Sequence, residues 1–187
     1  VEDLIGLRPV SKIGAAFGSH GWGGGAVPVL EKGLQEAGIE ITGEGLALAW
    51  RPTPEELEQY RETLAQTGID PVVAHAIYLI NLASPEKRVH AQSNDAFREE
   101  LARCHEAGIP YLVLHPGSHK GKGLEQGIAR IAHNICAAYT EHPEYTVVTL
   151  LENTAGQGDT IGRTFEELAE IEAHCRENGA DKQHPAD

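Results

Sequence analysis

Tyr111-Leu112-Val113-Leu114-His115 is a short apolar run that closes on an imidazole, and two further segments of the chain share its design. Pro71-Val72-Val73-Ala74-His75 ends 40 residues before it, and Val147-Val148-Thr149-Leu150-Leu151-Glu152 ends 37 residues after it. Each run has the length and the branched side chains of a buried strand. Each interval is the size of one strand–helix unit. Strands joined by helices at this spacing lie parallel with right-handed crossovers. His75, His115 and Glu152 would then emerge together at the carboxyl edge of one sheet, where α/β folds build their sites. Two imidazoles and a carboxylate suit zinc with a coordination position left open. A metal-dependent hydrolase or isomerase is the reading of these three residues.

Strand and helix signals alternate on both sides of this core. Lys12 to Phe17 reads as a first strand, followed by the glycine cluster Gly21-Trp22-Gly23-Gly24-Gly25. Backbone amides in such a cluster can hold an anion, although a flexible connector is the commoner role. Ala26 to Ala37 has helical periodicity and stops at Gly38. Ile39 to Ile41 is a second strand, with a loop to Pro52. Thr53-Pro54-Glu55-Glu56 opens a helix with a capping hydroxyl, proline in the first turn and acids at its start. That helix reaches Gln66 and ends at Gly68.

After the strand at Pro71–Ala74, Ser93 or Asn94 caps a helix that ends at Gly108. A helix from Leu124 to Glu141 follows the strand Tyr111–His115, and Pro143 breaks it. The last strand, Thr146 to Glu152, leads to a helix from Thr164 to about Asn178-Gly179. The chain thus reads as one α/β domain over residues 1–187, with 180–187 a frayed tail. Five βα units fit either a complete doubly wound sheet or a portion of a TIM (β/α)8 barrel, which needs about 250 residues.

The 187 residues carry a net charge of −13, from 28 acidic and 15 basic side chains. That sign opposes indiscriminate binding of polyanions, while metal ions in a cleft can still hold phosphate. No apolar run is long enough for a transmembrane helix and no signal leader opens the chain, so a soluble, cytoplasmic protein without membrane contact is expected. Cys104, Cys136 and Cys175 are scattered and odd in number, so they are assigned no chemistry. His20, His90, His105, His133, His142, His174 and His184 fall in loops or on helices and are expected at the surface. Ser118, His119, Lys120 and Lys122, after the turn at Pro116-Gly117, could meet a phosphate or serve as solvated loop residues.

Three strings together, His75-Ala76-Ile77-Tyr78-Leu79-Ile80-Asn81-Leu82-Ala83, Leu114-His115-Pro116-Gly117-Ser118-His119 and Leu150-Leu151-Glu152-Asn153-Thr154-Ala155-Gly156-Gln157-Gly158, resemble the endonuclease IV family. The likeness is clearest from about Ile69 to Ala169. It implies a zinc-dependent apurinic/apyrimidinic endonuclease, a DNA repair hydrolase of the deoxyribonuclease IV kind that cuts 5′ to abasic sites in damaged double-stranded DNA. It also implies a TIM barrel, here truncated to about five βα units. His75, His115 and Glu152 match zinc ligands of the family. The resemblance implies that Glu152 is the catalytic residue and bridges two metals, and Tyr78 matches a tyrosine at the DNA surface.

The family holds up to three zinc ions. The strand ending in Asp-Thr-Cys-His that supplies further ligands has no counterpart before Asp187. At most one well-ligated site and little or no activity are therefore expected of this chain. Ala16 stands where the family has a histidine. Gly43 to Trp50 replaces a loop that penetrates DNA. An open sheet edge would favour self-association. A xylose-isomerase-like sugar isomerase or epimerase is the alternative, because it too gathers His and Glu on a divalent metal at strand ends.

Overall fold

Parallel strands alternating with helices make up the computed structural model, which describes residues 10–20, 25–49 and 52–177. The chain divides into two units, Val1–Pro71 and Val72–Asp187. In the first, β1 (Ile13–Gly14) pairs in parallel with β3 (Glu40–Ile41). There too, β2 (Phe17–His20) pairs in parallel with β4 (Leu46–Ala49). The expected first strand is thus broken into two segments. The stretch read as a loop before Pro52 contains β4, whose Leu-Ala-Leu-Ala composition has no β preference of its own. Its pairing with β2 supplies what local propensity does not.

Two helices complete this unit, α1 (Ala26–Glu36) and α2 (Pro54–Thr67). The start of α2 is the one its sequence specifies. Thr53 Oγ1 accepts from the Glu56 amide at 3.2 Å, and Glu56 Oε2 accepts from the Thr53 amide at 2.7 Å. This reciprocal pair satisfies two donors that a helix start otherwise leaves open. Gly21 to Gly24 and the tail 180–187 lie outside the described residues, as does the expected helix end at Asn178-Gly179.

The second unit runs β5 (Val73–His75), α3 (Lys87–Ala107), β6 (Tyr111–Leu114), α4 (Leu124–Glu141), β7 (Val148–Leu151) and α5 (Phe165–Glu177). Its strands form one parallel sheet in the order β5-β6-β7. The register places Val73, Tyr111 and Val148 on one level, and His75, Val113 and Leu150 on another. Leu112 and Leu114 point to the opposite face, where they are wholly buried with Phe97 and Leu101 of α3, Ile128 and Ile131 of α4, and Ile171 of α5. Tyr139 on α4 fixes the start of β7, donating its hydroxyl proton to the Val147 carbonyl at 2.9 Å. One sheet face is therefore packed under helices. The other carries Val73, His75, Val113, His115, Leu150 and Glu152 at partial exposure.

The start of α3 differs from expectation by about two turns. Ser93, read as a cap, lies inside the helix and is buried, and its Oγ accepts from the Asn81 amide at 2.9 Å. A polar residue that serves a neighbouring loop resembles, in sequence alone, one that caps a helix. The end of α3 is as expected: Gly108 takes the left-handed conformation, with φ 72°.

Candidate metal centre

The three strand-end residues share a face by parity. His75 lies level with Val113, His115 is two residues beyond Val113, and Glu152 is two beyond Leu150. Since side chains alternate along a strand, all three project to the same side. Backbone bonds hold that edge in place: Ala76 N–H donates to Val113 O at 2.8 Å, and Glu152 N–H to Leu114 O at 3.0 Å. One potential ligand atom from each residue lies within 4.8 Å of the other two. Among the described residues this is the one such grouping of three.

Both imidazoles address the same oxygen. Glu152 Oε2 is 2.8 Å from His75 Nε2 and 3.1 Å from His115 Nε2. His75 Nδ1 donates to the Ala76 carbonyl at 2.7 Å, which orients the ring and directs Nε2 inward. The hydrogen bond with Glu152 holds the His75 imidazole above its ordinary range, and the Ala76 carbonyl adds to the effect. The same bond, helped by the charge of His115, holds the Glu152 carboxyl below its usual range. Without a metal, a proton on His75 Nε2 joins base and carboxylate. A cation bound by these groups would replace that proton. Two nitrogens and an anionic oxygen converging on one point are the donor set that zinc prefers. Glu152 Oε1 has no hydrogen-bond partner among the described residues, so one carboxylate oxygen remains available.

Tyr78 stands beside this group, 80% exposed, with its ring edge-on to His115 at 5.4 Å between centroids. The loops that carry the ligands are joined by Asn81, a residue that the sequence reading did not single out. Its Oδ1 accepts from the Ser118 amide at 2.9 Å and the Ala83 amide at 3.2 Å, and its Nδ2 donates to Ser118 O at 3.1 Å. The turn after His115 fits closely over this amide. Gly117 has φ 112°, and a Cβ there would lie 2.4 Å from Asn81 Oδ1. An Asn three residues after Tyr78, with a Gly two residues after His115, is the sequence trace of this clamp.

The third loop is ordered from α5. Glu167 Oε2 accepts from the amides of Gly162 and Arg163 at 2.8 and 3.1 Å, and Oε1 accepts from Arg163 Nε at 2.7 Å. Thr154 N–H donates to Gly162 O at 2.8 Å, which anchors the segment after Glu152. His119 packs in the second loop, half-buried and 3.9 Å from Asp159, while Lys120 and Lys122 are exposed. His90, expected at the surface, is half-buried against Asn134. Burial pushes the Cys104 and Cys175 thiols up to about 12, so they stay protonated at neutral pH.

A parallel α/β sheet with a His-His-Glu group at its carboxyl edge is the arrangement of the TIM-barrel type. The family model described as xylose isomerase-like TIM barrel matches residues 33–178, and the chain belongs to that family. It is 48% identical over 119 residues to a probable endonuclease 4 of Chloroflexus aurantiacus, a match covering 64% of this chain and 42% of the relative. It is 47% identical over 125 residues to a probable endonuclease 4 of Geobacter sulfurreducens, covering 65% and 42%. The chain thus spans about two fifths of these relatives.

Endonuclease IV from Thermus thermophilus superposes with a TM-score of 0.59 at 28% identity, over 84% of this chain and 59% of that one. An L-ribulose 3-epimerase superposes with a TM-score of 0.53 at 16% identity, over 91% of this chain and 59% of the epimerase. That second likeness is one of fold. The resemblance to endonuclease IV and the TIM-barrel type, both legible in the strings, hold. No described helix is long and apolar enough to cross a membrane.

Proposed function

We propose that this chain carries part of the zinc site of an endonuclease IV-like phosphodiesterase that acts on abasic sites in damaged duplex DNA. The observation behind the reading is the convergence of His75 Nε2 and His115 Nε2 on Glu152 Oε2. What a zinc ion supplies there is Lewis acidity toward a phosphodiester. His75 and His115 would hold the metal through their imidazoles, and the bond from His75 Nδ1 to the Ala76 carbonyl leaves Nε2 facing the group. Glu152 would add its carboxylate to the same donor set, and its Oε1 has no hydrogen-bond partner among the described residues. Tyr78, exposed beside His115, offers an aromatic surface to a base or sugar at the lesion. A cytoplasmic setting and some association through the β7 edge belong to the same reading. The sugar isomerase alternative has support from the shared fold alone.

The test is metal content after desalting, by elemental mass spectrometry, followed by incubation with a duplex oligonucleotide that contains one abasic site. About one zinc per chain is expected, lost in His115→Ala, with incision slow or undetectable for this chain alone. A folded, metal-free chain, or a variant that keeps its zinc, would remove the basis of the proposal.

A further inference from the structure

An open cleft of about 390 Å³ lies between the beginning of α3 and the first half of α4, with Pro85 and Ala129 in its wall. Ser84, Lys87, His90, Arg130 and His133 line it, and none of its lining residues is acidic. Lys87 and His90 are three apart on α3, and Arg130 and His133 are three apart on α4. That spacing puts each pair on one helix face. The two pairs therefore bring two permanent cations and two imidazoles to one cleft, in a chain whose net charge is −13.

The cations have no carboxylate of their own. Arg61, Arg98, Arg103, Arg163 and Arg176 each lie within 4.0 Å of a glutamate. Arg130 reaches two neutral acceptors instead, Ala83 O and Gln126 Oε1, each at 3.4 Å. Lys87 makes no ion pair with a described residue. Ser84, 3% exposed, accepts from the Glu86 amide at 3.2 Å, and no described group takes its hydroxyl proton. Asn134, 5% exposed, donates its amide protons to Leu82 O at 3.1 Å and His90 Nε2 at 2.8 Å. The Asn94 amide nitrogen lies 3.4 Å from the other ring nitrogen of His90, Nδ1. The cleft thus offers donors and positive charge and is short of acceptors.

We propose that this cleft binds a phosphate group. A guanidinium fork and an ammonium suit an anion with several oxygens better than a single carboxylate, and the cavity has the size of a small-ligand site. The cleft lies at the Ala83–Ser84 end of the loop that begins at His75, so two sources of phosphate are open to it. One is a free phosphate or phosphomonoester, and the other is the backbone of a nucleic acid strand. The inference does not depend on the phosphodiesterase reading, since neither zinc nor hydrolysis enters it.

The test follows histidine ring signals by NMR in the full chain, selectively labelled at histidine, kept metal-free with EDTA at constant pH. Inorganic phosphate, pyrophosphate and an undamaged duplex oligonucleotide are titrated separately. Saturable shifts of His90 and His133, with His142 and His174 unmoved, are expected with at least one of them. Lys87→Glu should weaken that response at least about tenfold (a charge reversal of one phosphate contact). The Lys87 side chain makes no hydrogen bond with a described residue, so this variant keeps its fold; His133→Ala, at an exposed position, provides a second check. Saturation by phosphate or pyrophosphate identifies a free anion, and saturation by duplex alone identifies a strand backbone. No saturable shift with any probe, or the same response in Lys87→Glu, would overturn the proposal, whatever the metal content or cleavage result.

Discussion

At the scale of single residues, the His75–His115–Glu152 group depends on side chains outside it. Asn81 satisfies the Ser118 and Ala83 amides and the Ser118 carbonyl, and so ties the loop after β5 to the loop after β6. Asn81→Ala leaves these groups without partners in a half-buried place, at a cost of about 2–3 kcal/mol. Urea denaturation should register that loss. Zinc affinity should fall as well, by roughly 10–100-fold, the usual effect of disturbing a ligand's support. Unchanged zinc affinity in a destabilised Asn81→Ala would mean that the clamp stabilises the fold without positioning His115. The three converging side chains were legible because a strand-end His or Glu after apolar residues is conspicuous. Asn81 was not, because an asparagine in a loop has many ordinary uses.

Among the elements, α5 offers a test of pH dependence. Burial alone would raise the Glu167 carboxyl, yet the Arg163 guanidinium and the amides of Gly162 and Arg163 outweigh it and hold the group below its ordinary 4.5. A carboxyl lowered in the folded state stabilises the protein above its unfolded pKa, and that contribution is lost as pH falls through the folded value. Glu167→Gln should therefore be less stable by about 1–2 kcal/mol at pH 7, with the difference closing below about pH 4. Thermal melts of both proteins from pH 3 to 7 would show it. A gap that stays constant across this range would mean that the charge on Glu167 is not what orders the loop. The elements themselves followed local rules at α2, where the cap is written in Thr53-Pro54-Glu55-Glu56. Those rules failed at α3, whose true start at Lys87 lacks a side-chain cap.

For the molecule as a whole, the outer strand β7 offers an edge to other chains. Among the described residues β7 has a single strand neighbour, β6; its own Leu150 is 38% exposed, and Phe165 at the start of α5 is 78% exposed. An unpaired edge next to apolar side chains recruits other strands. Sedimentation velocity should show concentration-dependent association, and a Leu150→Lys variant should shift the chain toward monomer. A wild-type chain that remains monomeric at every concentration would rule this association out.

Spacing left a doubly wound sheet and a TIM barrel both open, and the resemblance of three strings to endonuclease IV pointed to the barrel. The sequence alone determined that strands and helices alternate and that His75, His115 and Glu152 end three strands. These features rest on periodicity and spacing, which are local and survive in a string of letters. Only the tertiary structure decided that β4 is a strand, that Ser93 serves a loop rather than a helix start, and that Asn81 joins two loops. It alone brought Lys87 and His90 to Arg130 and His133, about forty residues away along the chain. The physical reason is the same in each case. The partner that gives the residue its role lies on another element, and a pairing between elements is set by packing.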